Sequence, residues 1–183
     1  MFEFNTDAAF VADTAYWHHK IQRAFELRKK YILSTETNAY RLLHAEGDFL
    51  PGIICDVYNS IASVQILIKG TELIQNILLN AIRDIAGVKH IYLKTKKSSK
   101  VIEQVSATTD WINPPEEVKT IVKEYGLQFY VDVEKGQKTG FFIDQRENRK
   151  LLQPFCAGKK ILNTFSYTGG FSVYALAGGA SLV

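Results

Sequence analysis

The residues best suited to chemistry lie in two neighbouring segments near the end of the chain. The first, GQKTGFFIDQRENR, spans residues 136–149 and combines the carboxylate of Asp144, the guanidinium of Arg146 and two adjacent phenylalanines. The second, ILNTFSYTGGFSVYALAGGA, spans residues 161–180 and reads as a buried strand, a glycine turn and a helix. Such a turn lets a ligand approach the backbone and faces its negative group with a helix N-terminus. The pattern therefore indicates a small-molecule site.

The common phosphate-binding loops are absent from both segments. Lys138 and Thr139 follow Gln137 rather than the glycine of a GxxxxGK[ST] loop, which argues against a nucleoside triphosphate. No GxGxxG is present, and this argues against a dinucleotide. The glycine turn by itself leaves the class of ligand open.

The two segments, in this order and spacing, resemble the signature of a family of class I methyltransferases that depend on S-adenosylmethionine. That family modifies cytosine at carbon 5 in bacterial large-subunit (23S) ribosomal RNA. The preceding YRLLHAEGDFLPGIICDVY, residues 40–58, is similar to the family's central domain, so the resemblance extends from about Trp17 onward. The family places a PUA domain first, and residues 2–4 look like its last trace. The resemblance implies S-adenosylmethionine as cofactor and RNA, ribosomal RNA above all, as partner.

The resemblance also implies where the methyl donor binds: on the loop 163–170, with residues 138–149 folding over the pocket. The donor carries a carboxylate, an ammonium, a sulfonium and an adenosine, so it needs polar contacts at one end and aromatic walls at the other. Arg146 can form a forked contact with the carboxylate, and Asp144 or Asn148 can hold a polar group. The cofactor-binding residues expected are Lys138, Thr139, Asp144, Gln145, Arg146, Asn163, Phe165, Ser166, Tyr167, Thr168, Gly169 and Gly170.

Simpler interpretations of these residues stay open. Asp144 can merely cap a helix, Arg146 can merely pair with a neighbouring acid, and Phe141 and Phe142 can merely fill the core. For Gly169 we expect a steric role, so that Gly169→Val abolishes donor binding.

The catalytic residues of the family are expected outside this chain. A fold of this class needs about seven strands, and the family's Asp-Pro-Pro motif, its nucleophilic cysteine and the acid that holds the ribose are expected beyond Val183. Cys55 and Cys156 match neither catalytic position and are expected to be reduced and buried. We therefore expect a fragment of a methyltransferase, inactive alone, with no catalytic residue and no metal ligand.

Two other functions compete with this interpretation. A lysine-rich loop, KTKKSSK, presents Lys94, Lys96, Lys97 and Lys100, which we predict as RNA-binding residues. With the basic face of the first helix, it supports a non-catalytic RNA-binding or assembly module. A methyltransferase with another acceptor, such as guanine or protein, is the second alternative.

The elements that must position these residues follow from hydrophobic periodicity. Asp13 or Thr14 can cap a helix that buries Trp17 and Ile21, and Thr71 can cap a second helix that ends at Gly87. Strands are predicted at 53–57, 61–68 and 88–93, followed by a hairpin of 120–123 with 127–133. Asp144 can cap a helix through Leu152, and strands are expected at 161–163 and 181–183.

This order predicts an α+β central domain, strand-strand-helix-strand-strand, with one helix on one face of the sheet, followed by the truncated start of a Rossmann-like α/β domain. The predicted boundaries are residues 1–35 for an extended segment and amphipathic helix, 36–135 for the central domain, and 136–183 for the incomplete methyltransferase domain.

Composition and charge limit the classes of protein to which the chain can belong. With 46% hydrophobic residues and a net charge of +3 in 183 residues, the chain is expected to be globular and tolerant of nucleic acid. No apolar run is long enough to cross a membrane, and the N-terminus lacks a secretory pattern. We therefore predict a cytoplasmic protein with no membrane partner and leave a homodimer open.

Overall fold

A mixed five-stranded sheet forms the centre of the protein, which has an α/β fold. The computed structural model describes residues 10–94, 105 and 109–183. The strands stand in chain order, β1 (Ala39–His44), β2 (Ile53–Tyr58), β3 (Ile61–Ile66), β4 (His90–Lys94) and β5 (Thr109–Trp111). Within this sheet, only β3 and β4 pair in parallel, because helices α2 (Lys69–Leu73) and α3 (Gln75–Ala86) form the crossover between them. The remaining neighbours are antiparallel.

One face of the sheet is covered by helices α1 (Thr14–Tyr31) and α3. Asp13 caps α1, since its carboxylate accepts a hydrogen bond from the Tyr16 amide at 2.8 Å, as the sequence predicted. Trp17 and Ile21 of α1 and Ile82 of α3 share this first core with alternate residues of the strands. Two helices thus cover the face for which we predicted one.

The predicted start of the second helix was wrong, and its predicted end is confirmed. Thr71 lies inside α2, where its hydroxyl donates to the Pro51 carbonyl at 2.8 Å instead of capping. Gly87 ends α3 with a φ of 64°, the left-handed conformation that glycine adopts without a Cβ penalty.

A hairpin and two short helices cover the opposite face of the sheet. The hairpin joins β6 (Lys119–Glu124) to β7 (Leu127–Asp132), as predicted. Helices α4 (Arg146–Leu152) and α5 (Gly170–Ala177) follow. Tyr58, Phe129, Phe141 and Tyr174 belong to this second core, so the hairpin and α5 share a core with the central sheet.

Strand β1 was missed because its polar Arg41 interrupts the apolar pattern. The buried Asp56 of β2 accounts for that residue, since the two side chains form an ion pair at 2.8 Å. Strand β5, three residues long, was also missed. The assignment as a central domain followed by an incomplete methyltransferase domain stays a prediction, as do its boundaries.

In place of the strands predicted at 161–163 and 181–183, the structure has one isolated parallel bridge between Lys160 and Leu182. Leu162 is 85% exposed. The prediction of a buried strand there was wrong.

Cys55 and Cys156 are both free and buried, as predicted, and burial raises the pKa of the Cys55 thiol. None of the helices within the described ranges is long and apolar enough to cross a membrane. Residues 2–4, the predicted trace of a preceding domain, lie outside the described residues.

Candidate ligand-binding site

A cavity of about 290 Å³ lies between residues 136–149 and the turn that leads into α5. Most of the predicted cofactor-binding residues line it, namely Lys138, Asp144, Gln145, Phe165, Ser166, Tyr167, Thr168 and Gly170. The two segments singled out in the sequence are therefore brought together around one space. Phe141, Phe142, Arg149 and Phe171 complete the lining.

Tyr167 ties the two segments together. Its hydroxyl accepts a hydrogen bond from the Gln137 amide at 2.7 Å and donates one to the Gly140 carbonyl at 3.1 Å. Its ring meets Phe142 edge-to-face, with 5.3 Å between ring centroids. This contact gives the cavity an aromatic wall built from both segments.

Charged groups stand beside the aromatic wall. The Lys138 ammonium lies 4.6 Å from the centre of the Phe142 ring and 3.6 Å from a carboxylate oxygen of Asp144. Both side chains are about half exposed. Lys138 and Asp144 therefore offer a cation and an anion to a ligand with groups of both signs.

The N-terminus of α5 forms another side of the cavity. Gly169, the residue before the helix, has a φ of 73° and provides no side-chain cap. The first amides of a helix have no partner within it, so they are suited to a negative or polar ligand atom. Gly170 and Phe171, the first residues of α5, line the cavity.

Arg149 is a cavity-lining residue that was not predicted from the sequence. Its guanidinium forms a forked ion pair with Glu124 of β6, at 2.8 and 2.7 Å, and donates to the Phe142 carbonyl at 3.0 Å. Both partners of the pair are almost fully buried, so the arginine is held rigidly. A Cβ at Gly170 would lie 3.1 Å from Arg149 Cδ, so this glycine permits the close packing of α5 on α4.

Arg146, three residues earlier, lies outside the cavity. Its Nε donates to Glu147 at 2.9 Å, and its guanidinium lies 5.8 Å from the centre of the Tyr125 ring. Desolvation raises the pKa of Glu147, but hydrogen bonds from Tyr125 and Arg146 outweigh it and lower that pKa. Arg146 thus pairs with a neighbouring acid, as the simpler interpretation expected, and its contact with the donor stays a prediction.

Three other predicted residues do not line the cavity. Thr139 is buried, and its hydroxyl donates to Asp56 and lies 3.0 Å from the Tyr58 hydroxyl. The Asn163 amide donates to Ser172 at 2.9 Å. Gly169 adjoins the lining without belonging to it. The contact of these three residues with the donor stays a prediction.

Asp144 does not cap a helix. It lies in a 3-10 turn, Ile143–Gln145, and α4 begins without a side-chain cap. The alternative of a mere cap was therefore wrong. The Asn148 amide donates to Gln145 at 3.0 Å, and its side chain does not line the cavity.

Lys94 was wrongly placed on a surface loop. It ends β4, where Ile91 and Leu93 face the first core and Tyr92 the second, so strand alternation directs Lys94 to the second face. Its ammonium is buried and donates to the Val133 carbonyl at 2.6 Å and to that of Gly136. This lysine positions the start of residues 136–149 and is not exposed to RNA. Lys96, Lys97 and Lys100 lie outside the described residues.

Residues 81–183 match the family model of the S-adenosylmethionine-dependent methyltransferases. The whole chain is 34% identical to the ribosomal RNA large subunit methyltransferase I of Alteromonas mediterranea, covering 46% of it. The protein of the same name from Tolumonas auensis is 37% identical over 93% of the chain and 44% of that protein. The chain thus spans about half the length of these curated relatives.

Solved structures share the fold. A candidate methyltransferase in complex with SAH has a TM-score of 0.79 at 28% identity, over 94% of this chain and 44% of the other. A candidate SAM-dependent methyltransferase from Streptococcus mutans has a TM-score of 0.79 at 27% identity, over the same shares.

Proposed function

The chain belongs to the S-adenosylmethionine-dependent methyltransferase family, and on this premise we propose that the cavity beside α5 binds S-adenosylmethionine. The observation that carries the proposal is the contact made by Tyr167, which closes the two motif segments around a common space. That space combines aromatic walls, the Lys138 ammonium, the Asp144 carboxylate and the N-terminus of α5.

The lining fits the chemistry of the donor. Adenine can stack on an aromatic wall such as that of Phe142 and Tyr167, and the sulfonium is stabilised beside the face of an aromatic ring. The donor carboxylate matches Lys138 or the N-terminus of α5, and its ammonium matches Asp144. The volume, close to the lower bound of about 300 Å³ for ligand sites, suits a pocket that holds part of the donor.

Calorimetric titration of the chain with S-adenosylhomocysteine tests the site. We expect Lys138→Ala and Tyr167→Ala each to weaken binding about tenfold or more, because each removes a charged or aromatic contact. Lys159→Ala, at an exposed lysine away from the cavity, is the matched control and should leave the affinity unchanged. Equal affinities in all three variants would show that the ligand binds elsewhere, and no binding by the unmodified chain would contradict the proposal.

We further propose that the protein methylates large-subunit ribosomal RNA, at carbon 5 of cytosine. The names of the relatives support the RNA, and the similarity of residues 136–149 and 161–180 to the cytosine-5 signature supports the position. In this proposal the described residues bind the donor, and none is assigned to the transfer step.

Deletion of the gene tests the acceptor with the protein as it occurs in the cell. Nucleoside mass spectrometry of large-subunit RNA should show the loss of one 5-methylcytidine. Loss of a methylated guanosine instead would overturn the position, and an unchanged set of nucleosides would overturn the reaction. A cytoplasmic location and a homodimer stay predictions.

A further inference from the structure

One side of α1 carries cations with aromatic and apolar groups, and Glu26 borders it with a carboxylate that accepts a hydrogen bond from the Gln22 amide at 2.7 Å. Its residues recur at spacings of three and four, which places them on one helix face. We call this face the α1 strip: Tyr16, Lys20, Arg23, Leu27, Lys30 and Tyr31. Leu27 and Tyr31 are 53% and 68% exposed, so the strip is open to solvent.

Phe49 extends the strip from the neighbouring turn. Its ring is 77% exposed, and its backbone has a φ of 56°, a strained conformation for a bulky residue. The Lys20 ammonium lies 3.3 Å from the Phe49 carbonyl, and Asp48 is anchored by an ion pair with Arg28. Tertiary contacts therefore hold an aromatic ring in water beside the cations of α1.

The strip is continuous with the candidate donor site. A groove of about 500 Å³ lies between Lys20, Arg23 and Phe49, and Leu27 also borders a second groove of about 510 Å³. The second groove runs past Tyr31 to Asp144, which itself lines the donor cavity. The surface thus forms one track from Phe49 to the cavity.

The charge of the track suits a polyanion. Its acids are neutralised by cations: Asp48 by Arg28, Asp144 by Lys138, and Glu147 by Arg146. Among the described residues, no carboxylate forms an ion pair with Arg23 or Lys30. Within the described ranges, the positive charges of Arg23 and Lys30 are therefore not cancelled by ion pairing.

We propose that this track binds a single-stranded segment of RNA, with phosphates on Arg23 and Lys30 and bases stacked on Phe49 and Tyr31, and leads it toward the donor cavity. Proteins that bind single strands combine such a cationic groove with exposed aromatic rings, since every base has a face to stack. Only the direction of the track, toward the donor cavity, rests on the proposed function.

Fluorescence anisotropy with the full chain and a labelled, unstructured RNA of about 12 nucleotides tests the track. Arg23→Glu should weaken binding about tenfold. It should also make the negative slope of log affinity against log salt shallower by about 0.7, as expected for one lost phosphate contact. Lys29→Glu, the same change of charge at an exposed position off the strip, is the control and should have a smaller effect. Phe49→Ala should weaken binding about fivefold or more, and Phe155→Ala, at another exposed ring, should not.

Equal losses for Arg23→Glu and Lys29→Glu would overturn the track, because they would show attraction by net charge alone. Unchanged binding by Phe49→Ala would overturn base stacking at that end. Titration of the same variants with S-adenosylhomocysteine separates the two proposals, since none of these residues lines the donor cavity. If these variants bind RNA less tightly while the unmodified chain does not bind S-adenosylhomocysteine, the donor site is contradicted and the track is not.

Discussion

At the scale of single residues, a buried polar network beneath the cavity determines where residues 136–142 lie. Asp56 is fully buried on β2 and is neutralised by a forked contact with Arg41, at 2.8 and 2.9 Å. Thr139 donates to the same carboxylate, and the Tyr58 hydroxyl accepts from the Phe141 amide at 3.1 Å. A buried charge is tolerated when it is paired and hydrogen-bonded. The network therefore fastens the loop with Lys138 to the central sheet.

Tyr58→Phe should lower the free energy of unfolding near pH 8 by about 1–3 kcal/mol, because it leaves buried partners unsatisfied. Burial, with the nearby Asp56 charge, raises the pKa of Tyr58 above its usual value. Above about pH 10 the unfolded tyrosine loses its proton and the folded one keeps it, so this contribution to stability falls as pH rises. Removing the hydroxyl should flatten that alkaline decline.

Urea denaturation at pH 8 and about pH 10.5 measures both effects of Tyr58→Phe. The matched control is Tyr130→Phe, at a residue of β7 that is 72% exposed. If the free energy of unfolding falls as steeply with alkaline pH in Tyr58→Phe as in the unmodified chain, the raised pKa of Tyr58 is contradicted.

At the scale of elements, the turn before α5 depends on backbone conformation rather than on space. Tyr167 and Gly169 both have positive φ, 48° and 73°. A Cβ built at Gly169 would meet no protein atom within 4 Å, so only the steric role toward the donor stays a prediction. Glycine is favoured there because the left-handed region costs other residues about 1–2 kcal/mol of conformational free energy, and β-branched residues more.

Gly169→Asn should therefore retain binding of S-adenosylhomocysteine, and Gly169→Val should lose most of it by displacing the start of α5. Asparagine visits the left-handed region readily, whereas valine does not. Calorimetry measures the affinity, and circular dichroism verifies that both variants fold. Equal affinities for the two variants would contradict the conformational role.

At the scale of the whole molecule, the central sheet carries a core on each face and unites them. Strand β2 supplies Cys55 and Val57 to the first core and Tyr58 to the second. Neither core can therefore open fully without disturbing the strand that supports the other. The donor cavity, attached to the second core, depends on the integrity of both.

The two tryptophans can test this cooperativity because each reports on one face. Trp17 lies in the first core, and Trp111 packs against the second, 4.9 Å from Tyr92 between ring centroids. We expect the urea midpoint of Trp17→Phe, followed by Trp111 fluorescence, to coincide with its midpoint by circular dichroism. The same agreement is expected for Trp111→Phe followed by Trp17. Separate midpoints within either variant would show that the faces unfold independently.

Local patterns in the sequence determined the helix that Asp13 caps, the end of α3 at Gly87, the hairpin of β6 and β7 and the two segments around the cavity. Capping, turn chemistry and periodicity act over a few residues, so they can be recognised without a fold. Only the tertiary structure decided that Arg149 and not Arg146 lines the cavity, that Lys94 is buried and that Leu162 is exposed. These outcomes depend on partners far away in the chain, such as Glu124 and Val133, which no local pattern specifies.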